Sequence, residues 1–314
     1  MFGPIKNAVS AVASAALTLF AATSAFAAQP APWQIWHQPA ASPGMAAIEW
    51  FSAYTLVIIT IITIFVFVLM AYVLIRFREK ANPVPSTTTH NTTIEVIWTL
   101  APVAILIAIA IPSFQLLSSQ FNPPKTPALT VKATGFQWYW GFEYQDGSEI
   151  AFETRPIGVD IIAGVEQAKA ERERYGKTDL QRYPNLLAVD NELVVPVNEV
   201  TRVLVTAGDV IHNFAMPAFG LKMDGIPGRL NETFFMPTKE GLYYGQCSEL
   251  CGAYHAYMPI AIRVVSKEDF EAWKTAAADD LEAANKALRT AIYEREKKVR
   301  VANTATTAPK TITE

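Results

Sequence analysis

The chain's 314 residues include only two cysteines, and both fall in one short stretch. It reads Cys247-Ser248-Glu249-Leu250-Cys251-Gly252-Ala253-Tyr254-His255-Ala256-Tyr257-Met258, a Cys-x3-Cys-x3-His-x2-Met spacing. Two thiolates, an imidazole and a thioether are thereby gathered in one loop. Thiolate and thioether are soft donors that suit Cu(I), and imidazole binds copper in either oxidation state. Such a mixed set suits a copper ion that must gain and lose an electron without strongly preferring one state. Two other readings stay open from the cysteines alone. An exported cysteine pair commonly forms a disulfide, and zinc takes cysteine and histidine, although methionine is a poor zinc ligand.

A second histidine completes the candidate set. Of four histidines, His37 and His90 lie ahead of the β-rich part of the chain, which leaves His212 and His255. His212 sits in Asp209-Val210-Ile211-His212-Asn213-Phe214, between two β-type runs. A lone histidine there would read as a satisfied core imidazole. Two histidines beside two cysteines read as a metal site.

The elements that must carry this site follow from the apolar pattern. Lys6, the apolar run Ala8 to Ala22 and Ala25-Phe26-Ala27 form a secretory signal, 1–27, with cleavage after Ala27 or Ala28. Two longer apolar blocks, Tyr54 to Ile75 and Val96 to Leu117, predict membrane helices at about 50–77 and 95–117. Pro102 and Pro112 interrupt the second, which membrane helices tolerate. Arg76, Arg78 and Lys80 fall in the short loop between the spans. That loop is therefore expected in the cytoplasm of a bacterium, with both termini and the downstream domain periplasmic. The net charge of −3 gives no reason to expect nucleic acid.

Beyond a Pro-rich linker at Phe121 to Lys125, short β-type runs recur from about Ala128 to Val265. Closely spaced strands without alternating helices predict a sandwich or small barrel. The charged segment 156–184 reads as a solvated surface insertion with some helix. Ser266-x-x-Asp269 caps a C-terminal helix, with Phe270, Trp273, Leu281, Ala284 and Leu288 as its apolar side. A polar, disordered tail is expected from about Ala302 within the C-terminal region 266–314.

The metal loop resembles the CuA motif of cytochrome c oxidase subunit II. So do Gly135-Phe136-Gln137-Trp138-Tyr139-Trp140, Asp209 to His212, Asp224-Gly225-Ile226-Pro227-Gly228-Arg229-Leu230-Asn231 and Glu95-Val96-Ile97-Trp98-Thr99. The resemblance runs in order from about Trp50 to Val265. It implies a membrane-anchored all-β protein: a two-helix transmembrane hairpin followed by a cupredoxin-like Greek-key β-barrel. It also implies two copper ions bridged by Cys247 and Cys251. His212 and Met258 complete one ion, and His255 and the backbone carbonyl of Glu249 complete the other. Two bridging sulfurs spread one electron over both metals, so each bond changes little on transfer. The Glu249 side chain is implied to hold Mg²⁺ or Mn²⁺ at the boundary with subunit I, which Asp224 and Arg229 also face.

The same resemblance implies the traffic around the site. Electrons come from cytochrome c through Trp138, taken as an exposed ring above the copper. In a continuous strand Trp138 and Trp140 would share one face and Tyr139 the other. Glu143, Asp146 and Asp209 would form an acidic docking patch. Glu95 would lie at the mouth of a proton-uptake channel. The chain has no Cys-x-x-Cys-His haem motif and no histidine in either predicted span. Oxygen reduction to water, coupled to proton pumping, is thus expected on the haems of subunit I, with subunit III a further partner. A thioredoxin-type copper chaperone explains neither Met258 nor Trp138. A quinol oxidase subunit lacks the copper ligands, and nitrous oxide reductase is soluble. A plain periplasmic anchor leaves the whole loop unexplained.

Overall fold

The computed structural model describes residues 29–307. The expected signal peptide and the end of the tail lie outside the described residues. Helix α1 (Pro43–Arg76) begins ahead of the expected Trp50, because Ser42 Oγ accepts the Met45 N–H at 3.0 Å and Pro43 opens the first turn. Helix α2 (Thr92–Phe121) is capped by Asn91, whose Oδ1 accepts the Ile94 N–H at 3.2 Å. Both are long and apolar enough to cross a membrane. Pro112 has no N–H, so the carbonyl four residues earlier, at Ala108, loses its helical partner. The Tyr54 hydroxyl of α1 donates to that carbonyl at 3.1 Å and ties the two helices together.

The β-rich region folds into two five-stranded sheets. The first has the order β3 (Ala151–Thr154), β2 (Tyr139–Tyr144), β1 (Leu129–Phe136), β5 (Thr201–Ala207) and β8 (Asn231–Phe235). The second has β4 (Leu193–Pro196), β10 (Pro259–Val265), β9 (Gly241–Cys247), β6 (His212–Met216) and β7 (Leu221–Gly225). β1 runs parallel to β5 and β4 parallel to β10, while the other pairs are antiparallel. Val131, Trp140, Phe142 and Val203 of one sheet pack against Phe214, Tyr243, Ile260 and Ile262 of the other in a single core. Strands β3, β6 and β7 went unread in the sequence, being short and without clear alternation. His212 does not lie between strands but opens β6. Residues 137–138 form a two-residue turn between β1 and β2, so the continuous strand expected through them is broken.

The insertion is not a solvated excursion. It contains two helices, α3 (Asp160–Ala163) and α4 (Val165–Arg174), and it covers the outer face of the second sheet. Ile157, Tyr183, Ala188 and Val189 pack there against Leu242, Tyr244 and Ala261. With both faces covered, every residue of β10 is buried. Lys177, 1% exposed, reaches Glu192 at 2.8 Å, a close ion pair poorly aimed for a hydrogen bond. Arg263 of β10 donates to the other carboxylate oxygen of Glu192 at 2.7 Å. The C-terminal region is two helices, α5 (Lys267–Ala277) and α6 (Leu281–Thr307). Asp280 splits them by accepting the Ala283 N–H at 3.0 Å as a new cap. α6 continues past Ala302, where disorder was expected. The start of α1 is strapped to the barrel through Ala41, whose N–H donates to the Ala218 carbonyl and whose carbonyl accepts the Thr238 N–H, both at 2.9 Å.

Candidate metal centre

Hydrogen-bond register brings the ends of β1, β5, β6 and β9 to one end of the barrel. The candidate donors meet there. The Cys247 and Cys251 sulfurs lie 3.9 Å apart and are not bonded to each other. Cys247 Sγ is 3.9 Å from His212 Nδ1 and 3.3 Å from the Glu249 carbonyl oxygen. Cys251 Sγ is 3.6 Å from His255 Nδ1 and 3.5 Å from Met258 Sδ. Ligands of a tetrahedral ion with bonds of about 2.0–2.3 Å stand about 3.3–3.8 Å from each other. These spacings match that edge length closely, so the residues fit a metal cluster. Each sulfur has two further donors beside it. His212, Cys247 and Cys251 are all buried.

Asp209 holds the frame. Its Oδ1 faces His212 Nε2 at 2.9 Å, which leaves Nδ1 turned to Cys247. Its Oδ2 accepts the Gln137 N–H at 2.7 Å. Gln137 in turn donates through Nε2 to the Cys251 carbonyl at 2.7 Å, so one side chain joins the β1–β2 turn to the metal loop. Burial opposes ionisation of Cys247, but hydrogen bonds with His212, the Asn213 and Glu249 backbone and His255 together outweigh it, and the thiol sits at about 7. Burial and the neighbouring Cys247 push Cys251 up to about 12. Burial lowers His212, yet Cys247 and Asp209 overcome it and the imidazole ends above its usual value.

Trp138 leans on this loop. Its ring meets Tyr254 edge-on with centroids 4.9 Å apart. A Cβ on Gly252 would come within 3.1 Å of both Trp138 Cζ2 and Gln137 Nε2. Trp138 is therefore half-buried against the loop rather than fully exposed, and it sits in a turn, not on the Trp140 face of a strand. Trp140 is wholly buried, with its centroid 6.1 Å from the His212 ring.

Two family models match the chain: the transmembrane domain of cytochrome c oxidase subunit II over residues 30–116 and its periplasmic domain over residues 129–265. The chain belongs to the cytochrome c oxidase subunit II family. The probable cytochrome c oxidase subunit 2 of Rickettsia conorii is 46% identical over 255 residues, 81% of this chain and 75% of that protein. Cytochrome c oxidase subunit 2 of Cereibacter sphaeroides is 46% identical over 270 residues, 83% of this chain and 88% of the relative. The solved periplasmic domain of subunit II of cytochrome oxidase from Bradyrhizobium japonicum is 48% identical. It covers 50% of this chain and 98% of its own, with a TM-score of 0.41. Membership makes this a membrane-anchored oxidase component with a copper-binding domain.

Within this subunit II the other named residues are spread out. Glu249 turns its carbonyl to Cys247 and its side chain outward. Asp224 Oδ1 accepts from Asn213 Nδ2 at 2.6 Å, beside Arg229 on the β7–β8 side. Glu95 lies in the first turn of α2, at the far end of that helix from the barrel. The acidic patch expected near Trp138 is not gathered there. At about 3.4 Å per residue, Glu143 lies about 14 Å along β2 from the turn and Asp146 more than about 20 Å. Glu143 pairs with Lys132 at 2.8 Å and Asp146 with Lys274 at 2.6 Å. Only Asp209 of the three stands at the metal end. Gly252, Gly135 and Gln137 were not singled out in the sequence, although all three lie inside the quoted motifs. Gly135 is needed because a Cβ there would meet the His212 ring at 2.8 Å.

Proposed function

We propose that this chain is the electron-receiving subunit of a cytochrome c oxidase. It takes single electrons from cytochrome c at a binuclear copper centre and hands them to haem in subunit I. There oxygen is reduced to water with proton pumping. One observation carries the reading: four donors from four other residues stand beside two unbonded sulfurs at metal-edge spacing. Cys247 and Cys251 would bridge, His212 and Met258 would hold one ion, and His255 and the Glu249 carbonyl the other. When bound, the copper supplies a one-electron store that changes shape little.

The rest falls to the protein. Asp209 fixes the His212 ring and the β1–β2 turn together. Gln137 holds the Cys251 carbonyl so that Trp138 stays against the loop, where the donor's haem edge approaches. Asp209 acts on the donor at short range. Glu143 and Asp146, paired and distant, act only as a weak long-range field that salt screens. The Glu249 carboxylate takes Mg²⁺ or Mn²⁺ at the subunit I boundary, with Asp224 and Arg229 nearby. Glu95 serves the proton-uptake side. Arg76, Arg78 and Lys80 keep the inter-helix loop cytoplasmic, so the barrel is periplasmic, on the bacterial inner membrane, with subunit III completing the assembly.

Electron paramagnetic resonance of the full-length, copper-loaded chain tests this. A seven-line spectrum is expected, from one electron shared by two coppers, and Cys247→Ser is expected to abolish it. A four-line spectrum of a single copper would refute the binuclear assignment.

A further inference from the structure

The segment ahead of α1 forms a tight turn. The Gln34 N–H donates to the Ala31 carbonyl at 3.2 Å, Gln34 Oε1 accepts the Ala31 N–H at 3.1 Å, and Gln34 Nε2 donates to the His37 carbonyl at 2.7 Å. Two contacts fix the turn's height along α1. Trp36 Nε1 donates to Glu49 Oε1 at 3.3 Å, and His37 Nε2 meets Ser52 Oγ at 3.0 Å.

That height can be placed in a bilayer. Counting back from Arg76, a hydrocarbon layer of about 30 Å takes up about 20 helical residues, which ends near Leu56. Glu49 and Ser52 lie one to two turns beyond, in the headgroup layer on the barrel's side. Trp50 and Tyr54 stack there with centroids 5.5 Å apart. Beside them the turn presents Trp33 at 98% exposure and Ile35 at 100%. From Gln29 to Ile48 the chain has no Asp, Glu, Lys or Arg. A tryptophan and an isoleucine left wholly in water would be unfavourable, whereas an indole is at home where apolar and polar layers meet.

We propose that the turn Ala31 to His37 is an interfacial anchor, with Trp33 and Ile35 inserted at the headgroup–acyl boundary of the leaflet on the barrel's side. Trp36 and Trp50 form the rim of the inserted surface. The occupant is lipid because the turn is uncharged, exposes Trp33 and Ile35, and is held beside the apolar helix α1 at headgroup depth by two hydrogen bonds. The anchor holds the barrel at a fixed height over the membrane, since Ala41 and Ser42 join the same segment to the barrel.

The test is ¹⁹F spectroscopy of the full chain labelled with 5-fluorotryptophan, with its copper reduced. Measurements are made in nanodiscs of phosphatidylcholine and phosphatidylglycerol and again in the assembled oxidase. Trp33→Phe and Trp36→Phe assign the two resonances by their loss. Phosphatidylcholine carrying a nitroxide at acyl carbon five is expected to erase the Trp33 signal, while a soluble gadolinium chelate leaves it. Erasure by the chelate, alone or together with the lipid probe, means a hydrated ring and overturns the proposal. Insensitivity to both probes in the assembled oxidase means that a partner subunit covers the turn, which also overturns it.

Discussion

Gly252 has no side chain, and the space where one would grow is occupied. Its φ of 123° is a conformation that other residues rarely adopt, and Trp138 and Gln137 close the remaining room. Gly252→Ala should leave the copper spectrum in place but push the Trp138 ring off the loop. Reduction by cytochrome c, followed by stopped flow, should slow by roughly tenfold or more. The thiols make a second prediction at this scale. Metal binding displaces their protons. Cys251, at about 12, holds its proton until the metal arrives at any ordinary pH. Cys247, at about 7, and the raised His212 are protonated in mild acid and give up protons as pH rises. Proton release per copper site, read with an indicator dye, should therefore fall between pH 6 and pH 8, while copper affinity rises. Constant release across that range would contradict the assigned thiol.

At the scale of elements, the insertion hangs on Glu192. Burial alone would raise this carboxyl, but Arg263 and Lys177 outweigh it and hold it far below the usual range. Glu192→Gln strands two buried cations and should cost about 3–5 kcal/mol. The melting temperature should drop by roughly 10 °C, given about 2–4 °C per kcal/mol for a domain of this size. The sign with pH is fixed by a depressed folded value. The contribution is complete above the unfolded carboxyl's value of 4.5 and is lost as pH falls below it. Wild type and variant should thus converge in stability toward strong acid, as followed by circular dichroism. This element also marks the limit of the sequence reading. The strands bearing Val131, Val203 and Ile262 were legible because apolar residues alternate or run together. The metal loop was legible because its donors are rare residue types at fixed spacing. The insertion was misread because it buries Lys177 against Glu192 and folds Arg172 inward onto its own backbone, and such charged residues usually face water. The spread of the expected docking acids was not legible, because the β1–β2 hairpin carries Glu143 and Asp146 away from the turn.

Across the whole molecule, the barrel and the membrane hairpin are one mechanical unit. Ala41 and Ser42 donate to the Ala218 and Phe219 carbonyls, and Gly220 packs against Ile48 and Met45. A soluble fragment starting at Phe121 should therefore keep its copper spectrum yet unfold at a lower urea midpoint than the barrel of the full chain in detergent. An equal midpoint would show that the strap contributes nothing. Within the hairpin, Pro112 and Tyr54 form a lock whose halves depend on each other. Were Pro112 replaced by a residue with an N–H, Ala108 would regain its helical partner and the Tyr54 hydroxyl would be redundant. A hydroxyl lost while the proline stayed would leave a bare carbonyl in the bilayer. The two positions should then drift as a pair over evolutionary time, with the proline free to disappear first and the tyrosine only afterwards.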